Sequence, residues 1–475
     1  MINFLKKSIA KIWAKNHVAK TEDFKNNAEV LQEKLLLDLV KKSEKTLFGL
    51  QHNFSEIKSV EDFQKNVKIS DYEDLKPFVE KVKHGDKNIL WPEKPEYFAK
   101  TSGTTSGTKY IPLTKEGMDY QVKAAQSALF HYIAQKNNAD FVNGKMIFLQ
   151  GSPELEDIND IKTGRLSGIV AHHIPKYLQK NRLPSYETNC IEDWETKVDK
   201  IVEETEKENM TLISGIPPWL IMYFEKLIER NGKKIKQLFP NLQLIVTGGV
   251  NYEPYREKME ELLGGKVDII QTFPASEGFF AFQDDYEKEG LLLQSNHGIF
   301  YEFIPLELYG KPDAPRLTLK EVELNKDYAL ILTTNSGLWA YSIGDVVRFI
   351  SKNPHRILVS GRTKHFTSAF GEHVIAFEVE EAMKATVEKF PAQITEFHLA
   401  PEVKPENGEL PYHEWFIEFE KEPENLEDFR QNLDAEMRKR NTYYDDLISG
   451  NILQVLKITK LQKNAFQEYA KSEGK

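Results

Sequence analysis

Between residues 145 and 273 the chain alternates short apolar runs with charged helical stretches. KMIFLQGS, VDKIVEETEKEN, TLISGI, PPWLIMYFEKLIERNG, LQLIVTGG, PYREKMEELLGG and KVDIIQTF follow one another. Short apolar runs bounded by turn residues are strands covered on both faces, and a helix between two of them returns the chain to run parallel. The pattern predicts βαβ units and a largely parallel sheet with helices on both faces. In such sheets ligands bind beyond the carboxyl ends of the strands. The segments TGGV (247–250) and PASEG (274–278) fall at those ends, so both are candidate ligand contacts.

The flanks of this region differ in texture. Residues 20–90 are rich in Lys, Glu and Leu and poor in Gly, which predicts mainly helices ending at the turn LWPEKPEYFAK. Residues 287–360, with GIFYEFIPLE and YALILTTNSGLWAYSIGDVVRFI, read as an antiparallel sheet or small barrel beside the parallel one. After HRILVSGRTKHF come the strand PYHEWFIEFE, the helix NLEDFRQNLDAEMRKRN and the strand ILQVLKITKL, a small α+β unit. With 475 residues the chain exceeds one core, and size scaling suggests roughly two to four domains. We therefore expect an α/β fold: an N-terminal domain over 1–360 (helical start 1–90, βαβ core 95–285, β-rich part 287–360), a hinge at 361–365 and an α+β domain over 366–475.

A hydrophobic fraction of 40% suffices for several cores, and no internal repeat or low-complexity segment stands out. The net charge of -10, from 63 basic and 73 acidic side chains, argues against a nucleic-acid binder held by bulk electrostatics but leaves room for a local basic pocket. Cys190 is the only cysteine, which excludes an internal disulfide and a cysteine metal cluster and suits a reducing, cytoplasmic setting. The N-terminus MINFLKKSIAKIWAK spaces Phe4, Leu5, Ile9, Ile12 and Trp13 as a helix with lysines between them. A helix on a membrane surface has this pattern. A first helix packed on its own domain has it too and is the preferred reading, because Lys6, Lys7 and Lys11 interrupt any signal-type run. Nothing approaches the ~20 apolar residues of an integral membrane segment.

Four stretches could carry chemistry. KTSGTTSGTKYIPLT (100–114) offers many backbone N–H groups, hydroxyls and close approach at its glycines, followed by Lys109, which suits a phosphate. It is neither a Walker A loop nor GxGxxG, and Ser/Thr/Gly clusters also mark plain loops. In FPASEG (273–278) Glu277 stands just beyond a strand, where a carboxylate can hold Mg²⁺ against substrate phosphates. A helix cap by Ser276 and Glu277 is the competing explanation. YSIGD (341–345) puts Asp345 in a tight turn between two strands, from which it could accept ribose hydroxyls. SGRTKHF (360–366) puts Arg362 and Lys364 at the domain junction as hinge or ribose contacts.

In this order and spacing the four stretches resemble the phosphate loop, the aromatic-x-x-[ST]-E motif, the Y-x-x-G-D motif and the hinge motif of adenylate-forming enzymes, the superfamily of acyl-CoA synthetases, luciferases and peptide synthetases. One branch fits best. TLFGLQHNFSEIKSVEDFQKNVKISDYEDLKPFVEKVKHG, ILWPEKPEYFAKTSGTTSGTKYIPLT and NLQLIVTGGVNYEPY look like the auxin-responsive family of acyl-acid amido synthetases in its bacterial form. The resemblance covers most of the chain and is most specific over 45–114.

It implies two steps with ATP and Mg²⁺. A carboxylic acid attacks the α-phosphate of ATP to give an acyl-adenylate, and an amine, usually an amino acid, then displaces AMP to give an amide. By motif match Ser102, Gly103, Thr104, Thr105, Ser106 and Lys109 would hold phosphates, and Glu277 would bind Mg²⁺. Thr247, Gly248 and Gly249 would face the adenine. Phe273, Ala275 and Ser276 would line adenine and α-phosphate, Asp345 with Arg362 would take the ribose, and the small domain would turn about the hinge that contains Lys364. Tyr120, His173, Trp219 and Phe279 are candidates for the acyl pocket. Family members usually continue past QKNAFQEYAKSEGK into a segment with a lysine near a Pro-Arg pair, so either the chain is truncated or that role is absent or replaced, and no C-terminal catalytic lysine is nominated.

Other features carry less. Adjacent His172 and His173 point different ways on a regular element, so a zinc pair is not expected. Trp219, Met222, Tyr223 and Phe224 read first as helix core. Without a GxSxG elbow a hydrolase has little support. The alternatives are an acyl-CoA ligase sharing the first step and a non-catalytic nucleotide or carboxylate binder. Retention of Lys109, Glu277 and Asp345 counts against the second. The acid, the acceptor and the oligomeric state stay open.

Overall fold

The computed structural model describes residues 2–472 except 102–107, 175–178, 192, 250, 251, 253, 254, 312, 364, 365, 368 and 373. Fifteen strands are described before residue 363. They are β1 (Tyr97–Thr101), β2 (Lys109–Leu113), β3 (Lys145–Phe148), β4 (Glu156–Ile158), β5 (Ile161–Gly164), β6 (Arg182–Leu183), β7 (Met210–Ser214) and β8 (Leu244–Gly248), then β9 (Asp268–Ala275), β10 (Gly278–Phe282), β11 (Leu291–Leu293), β12 (Ile299–Pro305), β13 (Asp327–Thr334), β14 (Tyr341–Lys352) and β15 (His355–Arg362).

Four of these form a small sheet in the order β2-β1-β5-β4, and the other eleven one continuous sheet, β12-β13-β14-β15-β11-β10-β9-β8-β7-β3-β6. The apolar runs of the alternating region pair in parallel, β3 with β7, β7 with β8 and β8 with β9, as their pattern predicts. From β9 onward the pairing turns antiparallel through β10, β11, β15, β14, β13 and β12. The β-rich stretch therefore extends the parallel sheet edge to edge and is not a separate barrel beside it. The physical reason is the hairpin between β9 and β10: a two-residue turn reverses the chain and pairs β10 with β9 at once.

The helical start packs on the antiparallel half. Leu36, Leu39, Val40, Phe48 and Phe54 are buried in one core with Phe303, Trp339 and Phe349. The rings of Phe48 and Phe54 lie 5.9 and 4.7 Å from that of Trp339, and Trp339 Nε1 donates to Leu90 O at 2.9 Å. A second core joins the first helix, Ile2–Asn26, to the helix Lys115–Lys136 and the parallel strands through Phe24, Tyr132, Phe141, Leu212, Leu244 and Ile270.

One compact unit comprises Met1–Thr101, Lys109–Glu192 and Lys200–Thr363, and a second is built mainly from Lys364–Lys475. In the second, strand Tyr412–Lys421 pairs antiparallel with Gln393–Glu402 and parallel with Lys457–Lys460. Trp415 on this strand and Phe429, Leu433 and Met437 of the helix Leu426–Arg440 are buried. Its charged helix, Leu426–Arg440, is N-capped by Asn425, whose side chain accepts from the N–H groups of Glu427 and Asp428. No helix among the described residues is long and apolar enough to cross a membrane.

Candidate active site

The turn between β9 and β10 consists of Ser276 and Glu277, with Ala275 opposite Gly278. No helix begins there, so the alternative of a helix cap falls away. Glu277 stands at the seam where the large sheet changes from parallel to antiparallel pairing. Loss of solvent pushes its carboxyl above the ordinary glutamate value; Lys109 and Arg362 pull it down, and Asp345 adds to the rise. Lys109, Asp345 and Arg362, nominated from three separate motifs, are thus electrostatic neighbours of Glu277.

Each is held by its strand. Asp345 on β14 and Arg362 on β15 are cross-strand partners, and Arg362 Nη1 donates to Asp345 Oδ1. YSIGD is not the turn between strands that the sequence suggests: it opens the twelve-residue strand β14. Gly344 takes φ +89 inside that strand, and the pairing with β13 shifts register around it, between Ser342 and Val346. A Gly-Asp pair that reads as a turn is here a bulge, which re-aims Asp345. Lys109 opens β2, directly across from Thr101 on β1. Its ammonium lies 3.5 Å from Tyr341 Oη and 5.8 Å from the centre of the Tyr72 ring. Burial pushes the Tyr341 hydroxyl well above its usual range, with Glu277 adding to the rise, so Tyr341 stays protonated. Burial likewise pushes Tyr72 up to about 12, and its Oη accepts from the N–H of Tyr110 at 2.8 Å.

At the end of β8, Thr247 is buried and its Oγ1 has no hydrogen-bond partner among the described residues. A Cβ on Gly248 would come within 2.5 Å of Thr272 O, and Gly249 has φ +84. Only glycine lets β8 pack this closely on β9 while the chain turns away. Phe273 is buried edge-to-face on Phe280 at 5.0 Å, and Ala275 and Ser276 lead into the Glu277 turn.

Beside Glu277 opens a small, partly solvent-open cleft lined by Tyr120, Gln121, Phe279, His297, Asn335 and Ser336 among others. It is framed by the N-cap of helix Lys115–Lys136: Thr114 Oγ1 accepts from Gly117 N and donates to Asn335 O, both at 3.0 Å. Gln121 Nε2, His297 Nδ1 and Asn335 Nδ2 are buried without a hydrogen-bond partner among the described residues. Burial pushes His297 down to about 4, so it is neutral at pH 7.

Of the four acyl-pocket candidates, Tyr120 and Phe279 line this cleft and the other two do not. His173 Nε2 lies 3.0 Å from Tyr97 Oη on the small sheet, and Trp219 stands in the first turn of helix Pro217–Asn231, where Met222, Tyr223 and Phe224 are buried as its core. Ser102, Gly103, Thr104, Thr105 and Ser106 of the phosphate loop and Lys364 of the hinge lie outside the described residues. Sequence reasoning missed Tyr72, Gln121, His297, Asn335 and Ser336. A local signal existed for two of them, since Asn335 and Ser336 lie just before YSIGD in TTNSGLWAY.

The fold that carries these residues is that of adenylate-forming ligases. The solved structure of the acyl acid amido synthetase AtGH3.15 in complex with 2,4-DB superposes with a TM-score of 0.65 at 17% identity, over 97% of this chain and 92% of that one. A 2-hydroxyisobutyryl-CoA ligase superposes with a TM-score of 0.62 at 13% identity, over 92% and 87%. The chain belongs to the GH3 family: its residues 17–181 and 159–269 match the GH3 family N-terminal domain, 292–362 the central domain and 377–475 the C-terminal domain. A jasmonoyl–L-amino acid synthetase of Nicotiana attenuata is 24% identical over 60% of this chain, and the chain spans 60% of that relative's length. The indole-3-acetic acid-amido synthetase GH3.15 of Arabidopsis thaliana is 23% identical over 72% of this chain and 69% of its own.

Proposed function

We propose that this protein is an ATP-dependent acyl acid amido synthetase. The observation that carries the reading is the convergence of Glu277, Lys109, Asp345 and Arg362 at the seam of the large sheet, beside a cleft with unmet polar groups. Family membership and the activities for which its relatives are named support it.

In the first half-reaction an oxygen of the acid's carboxylate attacks the α-phosphorus of ATP. The bond to the bridging oxygen breaks, pyrophosphate leaves and an acyl-adenylate remains. Two anions must meet for this, so cations and oriented donors are needed where they approach. Lys109 supplies an ammonium, oriented by the protonated Tyr341 hydroxyl. Arg362 occupies one oxygen of Asp345, which leaves Oδ2 for a ribose hydroxyl. Thr247 Oγ1 offers a donor and acceptor to the adenine edge, and the bare backbone at Gly248 and Gly249 allows close approach. The phosphate loop 102–106 and a hinge at 361–365 containing Lys364 complete the reading.

Mg²⁺ fits this donor set. Glu277 is a half-buried hard oxygen donor, and its carboxyl is disfavoured as an unaccompanied anion. No cluster of three or more His, Cys, Asp or Glu side chains that could hold a metal exists among the described residues, so the ion would arrive with the phosphates of ATP, as Mg²⁺ does when the protein offers one or two carboxylates. When bound it would neutralise charge on the phosphates. In the second half-reaction the amine nitrogen attacks the acyl carbon, AMP leaves and the amine loses a proton.

The cleft beside Glu277 takes the acyl group in this account. Among the described residues that line it there is no lysine or arginine, which disfavours a second carboxylate, and the unmet Gln121, His297 and Asn335 atoms favour an acid with a neutral oxygen remote from the carboxyl. Mass spectrometry of reactions with ATP, Mg²⁺, a panel of such acids and the amino acids tests the proposal. An acyl-amide formed with one AMP per product supports it. A thioester formed only when CoA replaces the amine would move the protein to the acyl-CoA ligases.

A further inference from the structure

The first helix, Ile2–Asn26, has two apolar faces, and only one is used. On the packed face Ala14, Thr21 and Phe24 are buried, His17 Nε2 lies 2.7 Å from Ser127 Oγ, and Lys7 pairs with Asp140. On the outward face Ile9, Ile12 and Trp13 stand at i, i+3 and i+4, one patch on an α-helix, and they are 39%, 58% and 57% exposed. The other exposed large apolar side chains among the described residues, such as Val30, Leu50 and Tyr186, are isolated from one another along the sequence. A contiguous exposed patch needs an occupant; single ones do not.

The charges around the patch choose between occupants. Residues 1–21 contain five lysines, at 6, 7, 11, 15 and 20, and no acidic residue, in a chain whose net charge is -10. By helical geometry Lys6 falls on one margin of the patch, beside Trp13, and Lys15 on the other, beside Ile12. Both are exposed. A second copy meeting this face symmetrically would set lysines against lysines. An anionic lipid surface attracts the lysines and takes up the isoleucines and tryptophan at the boundary between headgroups and acyl chains, where the tryptophan ring is favoured.

We propose that the outward face of this helix docks the protein reversibly on anionic membrane surfaces. The inference does not depend on the proposed ligase activity. The full chain is sedimented with vesicles of phosphatidylcholine alone and of phosphatidylcholine mixed with phosphatidylglycerol. Binding is expected to be about tenfold or more stronger on the anionic vesicles and to weaken with salt. The double variant Ile12→Ser/Trp13→Ser, at exposed positions, should lose it with unchanged thermal unfolding, and Lys6→Glu/Lys15→Glu should lose the preference for anionic lipid. Absence of binding to either vesicle, or a serine variant that binds as well as the parent, overturns the proposal. So does a dimer in light scattering that the serine variant dissolves, since the occupant is then a second copy.

Discussion

Glu277 is held in a conformation that suits a ligand better than it suits the folded chain alone. Burial raises its carboxyl above the glutamate reference of 4.5, against the pull of Lys109 and Arg362. A carboxyl with a raised folded value costs nothing in stability below its unfolded value, and the cost is complete once the pH exceeds the folded value. Replacing Glu277 by Gln should therefore leave the protein as stable at pH 7 or more so, by about 0.5–2 kcal/mol, as is common when a strained functional site is relieved. The gain should vanish below pH 4.5, which urea melts at several pH values would read. A loss of stability at pH 7 would mean that the neighbouring cations outweigh burial. Glu277, Asp345 and Arg362 were legible in the sequence because each sits in a short local motif. Tyr72, Gln121 and His297 were not, because they reach the site from the helix Tyr72–Lys83, the helix Lys115–Lys136 and the segment before β12, and long-range packing alone brings them together. Among these the cleft makes its own prediction: Asn335→Leu should fill an unmet donor's place with an apolar group, and raise KM for acids with a remote hydroxyl more than for their unsubstituted counterparts, by about tenfold in ratio. Equal effects on both would remove Asn335 from acid selection.

At the scale of elements, the alternation of apolar and charged stretches determines the parallel strands, and β3, β7, β8 and β9 appear where that alternation puts them. The continuity of the large sheet was hidden, because nothing local distinguishes a hairpin that extends a sheet from one that starts another. The same blindness applied to YSIGD, whose Gly-Asp pair favours a turn locally while pairing on both sides keeps it in β14. Gly344, at φ +89, carries the bulge. Gly344→Ala should cost about 1–2 kcal/mol, the penalty of a Cβ in a left-handed conformation, and should weaken nucleotide binding by displacing Asp345. Urea unfolding paired with ATP titration would check both; unchanged affinity with reduced stability would detach the bulge from the site.

For the whole molecule, the second unit carries its own buried polar centre. Glu372 and His413 are fully buried, with Oε1 and Nε2 2.9 Å apart, and Glu372 Oε2 accepts from Phe370 N at 2.7 Å. Burial acts to raise the Glu372 carboxyl, and His413 together with the backbone N–H groups of Glu372 and Phe370 outweighs it, so the net value lies below the reference of 4.5. A depressed carboxylate contributes stability above its unfolded value and loses it as pH falls through the folded one. Glu372→Leu should cost about 1–3 kcal/mol by leaving the buried His413 Nε2 without a partner. Hydrogen exchange in strands Gln393–Glu402 and Tyr412–Lys421 should accelerate first, and unchanged protection there would contradict a structural role. The α+β character of this region was legible from its strand and helix periodicities, whereas the Glu372–His413 pair was not, since 41 residues separate its members.

The central claim is that the seam of the large sheet adenylates a carboxylic acid. Acid-dependent exchange of labelled pyrophosphate into ATP tests it most directly, run over aromatic, aliphatic and oxygen-bearing acids with the parent protein and Glu277→Gln. Exchange should need an acid and fall about 10²-fold or more in the variant, the loss typical of one group that stabilises transition-state charge. Exchange with none of the acids by a protein that still binds ATP, or exchange indifferent to Glu277, would contradict it.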